Sequence, residues 1–138
     1  MIYEKGDFTI SSEKKHVDID ILHDMLSHSY WAKARSREDV EKSVANSLCF
    51  TLLKQNEMIG FVRVLTDGMA YAIILDMIIR ENFRGQMLGK WMMQCVCEHP
   101  EVTPLRQLLW TGDADDFYRQ SGFKEMSTLK FMSRSWEM

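Results

Sequence analysis

Apolar residues along the 138-residue chain recur at two different periods, and the changes of period divide it into ten elements. The alternating stretch "DFTIS" at 7–11 predicts a strand. Ile19, Ile21, Leu22, Met25 and Leu26 then fall at helical spacing and predict a helix over 18–28. Ser36, followed three residues later by Asp39, approaches a capping box, and Val40 and Val44 carry on an apolar stripe, so a second helix is expected over 36–46. Two β-rich runs, 48–54 and 58–66, flank the turn "QNE" and predict a hairpin. The run "AYAIILDMIIR", 70–80, is almost wholly apolar, as a central strand buried on both faces would be.

Leu88, Trp91, Met92, Cys95 and Val96 lie at i, i+3, i+4, i+7 and i+8, and this stripe ends where His99 meets Pro100. It predicts a helix packed on the sheet. "LRQLLWTG" (105–112) then reads as a strand, "DADDFYRQSGF" as a short helix ending at Gly122, and "STLKFMSR" (127–134) as a last strand. Strand, helix, strand, helix at the end argues for an α/β fold with a mixed sheet and some parallel pairing. No repeat or flexible linker interrupts the pattern, so residues 1–138 read as a single domain.

Composition narrows the picture. A chain that is 46% hydrophobic and 27% charged can build a core without disulfides. A net charge of -3 and a pI near 5.8 give no basic footprint for nucleic acid, and no run of like charge points to a membrane surface. The opening "MIYEKGDFTISSEKK" has no apolar signal core, and no segment approaches the roughly 18 apolar residues of a spanning helix, so a cytoplasmic protein is expected. Three cysteines form no disulfide framework and suit a reducing compartment. Cys95, Cys97, Glu98 and His99 resemble metal ligands by letter, but on a helix the two cysteines point about 200° apart. No metal site is expected, and Cys95 reads as a small core residue. His16, His23 and His28 share no ligand spacing and read as surface or capping groups.

"RENFRGQMLGKW", 80–91, joins the apolar strand to the amphipathic helix. A strand that runs through a glycine-containing loop into a helix brings free backbone N–H groups and the positive end of a helix dipole to one point, where an anion binds well. Arg84 and Lys90 add positive charge, and Gly85 and Gly89 allow close approach. Spacing excludes two phosphate motifs. A Walker A loop needs four residues between its glycines and Ser or Thr after the lysine, whereas here three intervene and Trp91 follows Lys90. The dinucleotide pattern G-x-G-x-x-G is also absent.

The loop resembles the R-G-x-G-x-G-K pyrophosphate loop of the GCN5-related N-acetyltransferases (GNATs), through Arg84, Gly85, Gly89 and Lys90. "DADDFYRQSGF" is similar to the family's C-terminal A-x-x-L-Y-x-x-x-G-F, through Ala114, Phe117, Tyr118, Gly122 and Phe123, and "SYWAKARSREDVEKS" (29–43) resembles a segment of a bacterial subgroup directed at small molecules. The resemblance implies the acyl-CoA N-acyltransferase fold, a mixed central sheet flanked by helices, in a small bacterial single-domain member of a family that often forms homodimers. It implies an enzyme moving the acetyl group of acetyl-CoA to a primary amine of a small molecule in a direct ternary complex. The alternatives are a longer acyl group, or a non-catalytic acyl-CoA-binding or partner-binding domain of the same fold.

Family positions map onto the chain as follows from that resemblance. Backbone groups of Met77, Ile78 and Ile79 face the thioester arm. Arg84, Gly85, Gln86, Met87, Leu88, Gly89 and Lys90 hold the pyrophosphate, with Met87 standing where the family has its central glycine. Thr111 takes the place of an Asn that touches the pantetheine arm. Tyr118 is the phenol beside the coenzyme sulfur; a Tyr of pKa about 10 can donate to a thiolate of pKa about 8.5, though a tyrosine here also suits a ring anchored in the core. Tyr30 and Trp31 fall where the fold builds its acceptor pocket, and aromatic faces suit a cationic amine, but they equally suit a lid on the core. Asp76 is the only carboxylate in the run 70–80, and a buried carboxylate needs a partner. That partner is either the substrate ammonium, which Asp76 would hold and deprotonate, or an internal Arg, Lys or backbone N–H.

Overall fold

In the computed structural model, which describes residues 1–136, β1 (Ile2–Lys5) and β2 (Phe8–Ser11) form the first hairpin, closed by Gly6 and Asp7. β2 falls within the expected strand. β1 has no counterpart among the expected elements, because its residues are mostly exposed and leave no apolar alternation to read. Asp18 caps α1 (Ile19–Ser27), its Oδ1 accepting from the Ile21 N–H at 3.1 Å. α2 (Arg37–Ala45) opens on a full capping box: Ser36 Oγ accepts from the Asp39 N–H at 3.0 Å, and Asp39 Oδ2 accepts from the Ser36 N–H at 3.2 Å. β3 (Leu48–Lys54) and β4 (Glu57–Thr66) are joined by Gln55 and Asn56, whose φ angles of 49° and 70° suit the two-residue turn that matches strand twist.

β5 (Tyr71–Ile79) is followed by α3 (Leu88–Glu98), β6 (Arg106–Leu108) and α4 (Asp115–Arg119). The six strands lie in the order β1-β2-β3-β4-β5-β6, antiparallel except for the parallel pair β5–β6 that α3 connects. The sheet is thus mixed, with helices on both faces. On one face Phe50, Leu52, Ile59, Val62 and Ile74 pack with Met92, Met93 and Val96 of α3. On the other, Cys49, Met58, Phe61 and Ile78 pack with Leu22 and Leu26 of α1 and Val40 and Val44 of α2.

One extra residue in β5 breaks the alternation between these faces. Pairing runs from Phe61↔Ile78 to Arg63↔Leu75, so two steps along β4 match three along β5, and Asp76 takes a left-handed φ of 55°. Such a bulge turns each following side chain to the opposite face. Ala72 and Ile74 join the α3 core, whereas Ile78 joins the α1/α2 core. Asp76 therefore lies with Arg63 on the α1/α2 side. Its Oδ2 accepts from Arg63 Nε and from Arg35 Nη1, both at 2.6 Å, and its Oδ1 accepts from Trp31 Nε1 at 3.1 Å. Arg63 Nη1 also donates to Ser47 Oγ at 3.2 Å. The α1–α2 connection is thereby tied to the bulge.

Three expectations change. The central strand is not covered on both faces along its length: Ile73, Leu75 and Met77 are half-buried, and beyond Ile73 no strand lies beside β5 on its β6 flank. β6 covers 106–108 rather than 105–112, since pairing with β5 ends at Ile73↔Leu108 and the chain then diverges. Residues 127–134 form turns and irregular chain instead of a last strand. The three-residue β6 offers no long edge to pair with, and Phe131 instead packs against Trp110 and Trp136, with ring centroids 5.3 and 5.5 Å away.

Burial raises the Asp76 pKa, but hydrogen bonds and charge from Arg35 and Arg63 outweigh it and hold the carboxyl below its ordinary value. A depressed folded-state pKa stabilises the fold at pH values above the unfolded one and is lost as pH falls through the folded one. Stability should therefore drop on acidification below about pH 4. Asp76→Asn should cost about 3–5 kcal/mol at pH 7, since it leaves two guanidiniums without their counter-charge, and should flatten that acid dependence. Denaturant titrations of both proteins from pH 7 down to pH 3 check this; equal stability at pH 7 would remove the cluster from its structural role.

Candidate functional site

The divergence of β6 from β5 leaves one flank of β5 without a partner strand beyond Ile73. The Arg80 N–H donates to the Ile59 carbonyl on β4 at 2.8 Å, so alternation turns the N–H groups of Ile79 and Met77 to the opposite, open flank. The Ile79 carbonyl on that flank accepts from Arg84 Nε at 3.0 Å, which fixes the start of the following loop. Glu81–Phe83 makes a single tight turn, Gly85 takes φ 82°, and Met87 becomes the N-cap of α3 at φ 63°, ψ 11°. The first bond of the helix runs from the Trp91 N–H to the Met87 carbonyl at 3.2 Å, so the N–H groups of Leu88, Gly89 and Lys90 have no intrahelical partner. These donors and the helix dipole favour an anion at this end of α3.

Met87 and Gly89 lie on different flanks of that first turn. Met87, 62% exposed, lines a cleft of about 240 Å³ with Lys5, Gly6, Phe8 and Trp91, on the side of the β1–β2 hairpin. Gly89 faces the other way. A Cβ there would sit 3.1 Å from the Phe117 ring of α4 and 3.4 Å from the Met77 side chain, so the missing side chain lets α3 close on α4 and β5. A left-handed φ costs an ordinary L-residue about 1–2 kcal/mol, so Met87 holds at some expense a conformation that suits glycine.

Tyr118, half-buried on α4, packs against Phe117 and Phe123. Burial pushes its phenol pKa up and the neighbouring Tyr30 phenol adds to the rise, so at neutral pH it stays protonated and able to donate. Tyr30, from the α1–α2 connection, is 70% exposed, and its hydroxyl lies 3.9 Å from where a Cβ on Gly112 would be. Tyr30 therefore bridges the gap between that connection and the chain beyond β6. Trp31 stacks edge-on against it at 5.2 Å while donating to Asp76. Thr111 Oγ1 accepts from the Ala114 N–H at 3.0 Å, so its oxygen shapes the entry to α4 while its O–H and one lone pair stay available.

The two possibilities for Asp76 now differ in weight. Its partners are internal, and with both oxygens engaged and its pKa lowered it is a poor proton acceptor. Sequence reasoning passed over Arg35 and Arg63. A signal existed for the second, because Arg63 interrupts the apolar β4 as Asp76 interrupts β5, and two opposite charges in adjacent core strands call for each other. Burial pushes Cys49, Cys95 and Cys97 up to about 11 each, so none is a thiolate at neutral pH. His16, His23 and His28 bond Ser11 Oγ and the Arg35 and Asp24 carbonyl oxygens, at 2.6, 3.2 and 2.8 Å, as local ties.

Residues 45–125 match the family profile described as "Acetyltransferase (GNAT) domain". The chain is similar to an uncharacterized N-acetyltransferase, ycf52, of Gracilaria tenuistipitata var. liui, at 30% identity over 119 residues, covering 81% of this chain and 65% of that protein. Its fold superimposes on a crystal structure from Xanthomonas campestris pv. campestris, assigned as an acetyltransferase of the GNAT family, with a TM-score of 0.85 and 27% identity over 94% of this chain and 95% of that one. A GNAT family acetyltransferase of Elizabethkingia anophelis with acetyl-CoA bound shares the fold at a TM-score of 0.68 and 18% identity, covering 89% of this chain and 80% of that one. With more than half of its length matched to the family and its sheet opening where β6 leaves β5, the chain belongs to the GNAT family of acetyltransferases.

Proposed function

We propose that the protein transfers the acetyl group of acetyl-CoA to a primary amine of a small molecule, by direct attack in a ternary complex. One observation carries this reading: the unpaired donors of Met77 and Ile79 on β5 lead to the free N–H groups at the start of α3, a row suited to a pantetheine arm ending in a pyrophosphate. Acetyl-CoA supplies the acetyl group as a thioester. The β5 N–H groups polarise its carbonyl as negative charge develops on the oxygen. Tyr118, protonated and half-buried, gives a proton to the departing sulfur. Gly85, Gln86, Met87, Leu88, Gly89 and Lys90, with Arg84 beside them, receive the pyrophosphate.

Direct attack is favoured over an acyl-enzyme because the thiols are held neutral and two of the three, Cys49 and Cys95, are buried. Asp76 acts as a positioning residue for Trp31 and Arg35, and the amine gives up its proton to water. Tyr30 and Trp31 border the acceptor side.

Acetyl-CoA should raise the melting temperature, and mixing it with an amine library should release CoA thiol in an acceptor-dependent way. Hydrolysis without acceptor dependence would point instead to a non-catalytic acyl-CoA binder. Tyr118→Phe should lower kcat by about 10- to 100-fold with acetyl-CoA affinity nearly unchanged, and unchanged turnover would return Tyr118 to the core. Met87→Gly should tighten acetyl-CoA binding. It should leave the free protein equally stable or up to about 1 kcal/mol more stable, as relief of the left-handed φ offsets the entropy of an added glycine; weaker binding would count against the loop as the pyrophosphate site.

A further inference from the structure

Two guanidiniums, Arg35 and Arg63, share the single carboxylate of Asp76, which leaves one net positive charge beside the β5 bulge. The two arginines are not alike. Arg63, with its side chain 13% exposed, divides its donors between Asp76 and Ser47. Arg35, 29% exposed, uses only Nη1 on Asp76, and its Nε and Nη2 donors find no acceptor among the described residues. Its position is fixed from behind. Asp76 grips one end, the Arg35 N–H donates to the Ala32 carbonyl at 3.1 Å, and the Arg35 carbonyl bonds His23 Nε2 at 3.2 Å. Trp31, bonded to the other oxygen of Asp76, stands beside it on the acceptor side.

We infer that Arg35 is a specificity residue selecting acceptors that carry an oxyanion, carboxylate or phosphate, in addition to the amine. The inference rests on the transferase reading above. A partly desolvated guanidinium with an unused donor edge suits a two-point bond to an oxyanion, and its charge attracts one before contact is made. The opposite assignment, a site for a purely cationic amine, gains nothing from Asp76, because two arginines already neutralise it. The residual positive charge has a second effect. It disfavours the ammonium form of a nearby amine and so favours the neutral nucleophile, which suits a site whose carboxylate is a poor base.

The test measures kcat/KM for the wild-type protein with matched acceptors: amino acids against their amides, and phosphorylated amino sugars against the unphosphorylated sugars, each corrected for the fraction of free amine. At least one oxyanion-bearing acceptor should exceed its neutral partner by about tenfold or more, mostly through KM. Whether the carboxylate or the phosphate pair shows the difference identifies the source. Arg35→Gln should abolish the preference and Arg35→Lys should retain part of it, with melting curves confirming that each variant is folded. If Arg35→Gln does not fold, the wild-type ratios and Arg35→Lys decide. Equal rates within every pair, or a preference that survives Arg35→Gln, would overturn the role of Arg35 while leaving the transferase reading intact. Acetyl-CoA binding with no acceptor acetylated would overturn both.

Discussion

A carboxylate removed from water must be met by positive charge, and in this protein the need is answered from two directions at once. Asp76 draws Arg63 from the neighbouring strand and Arg35, with Trp31, from the connection between α1 and α2. The bulge makes this possible, because without the extra residue Asp76 would point into the apolar core under α3. An isolated charge there would cost several kcal/mol, more than the burial of any one apolar neighbour contributes. Register, the position of the α1–α2 connection and the charge beside the bulge therefore depend on one another. The bulge lies next to the open flank of β5, so the same local irregularity that turns Asp76 toward its arginines precedes the backbone donors at Met77 and Ile79.

Much of the architecture was legible in the sequence because it rests on patterns with a physical period. The helical stripe from Leu88 to Val96, the capping box at Ser36 and the paired runs around Gln55 and Asn56 all correspond to elements found. The strand at 127–134 failed for the opposite reason. Its β-prone letters need a partner, and whether β6 is long enough to be one depends on tertiary divergence that no local pattern reports. β1 escaped notice because an exposed edge strand has no buried face to write into the sequence.

The site divides in the same way. The loop at 80–91 could be found from its glycines and basic residues, and the structure adds that Met87 and Gly89 occupy different flanks of the first turn of α3. The groups on β5 argued to meet the thioester are backbone N–H groups, so the letters Met77 and Ile79 carry no trace of that role. Asp76 was conspicuous as a lone carboxylate, yet its letter alone left open whether substrate or arginine would answer it. Arg35 was the least legible. Surface-like in sequence, it acquires meaning only from where the α1–α2 connection comes to rest.

The brevity of the outer strands has a consequence for how molecules of this protein meet. β6 spans three residues and β1 four, and these are the two edges of the sheet. A long, flat edge is a template on which other chains stack strand by strand, and short edges supply little such template. The early parting of β6 from β5 has the opposite effect, since it leaves the later residues of β5 unpaired on that side. The open backbone that remains belongs to β5 itself, whose stretch beyond Ile73 has no partner strand on that flank.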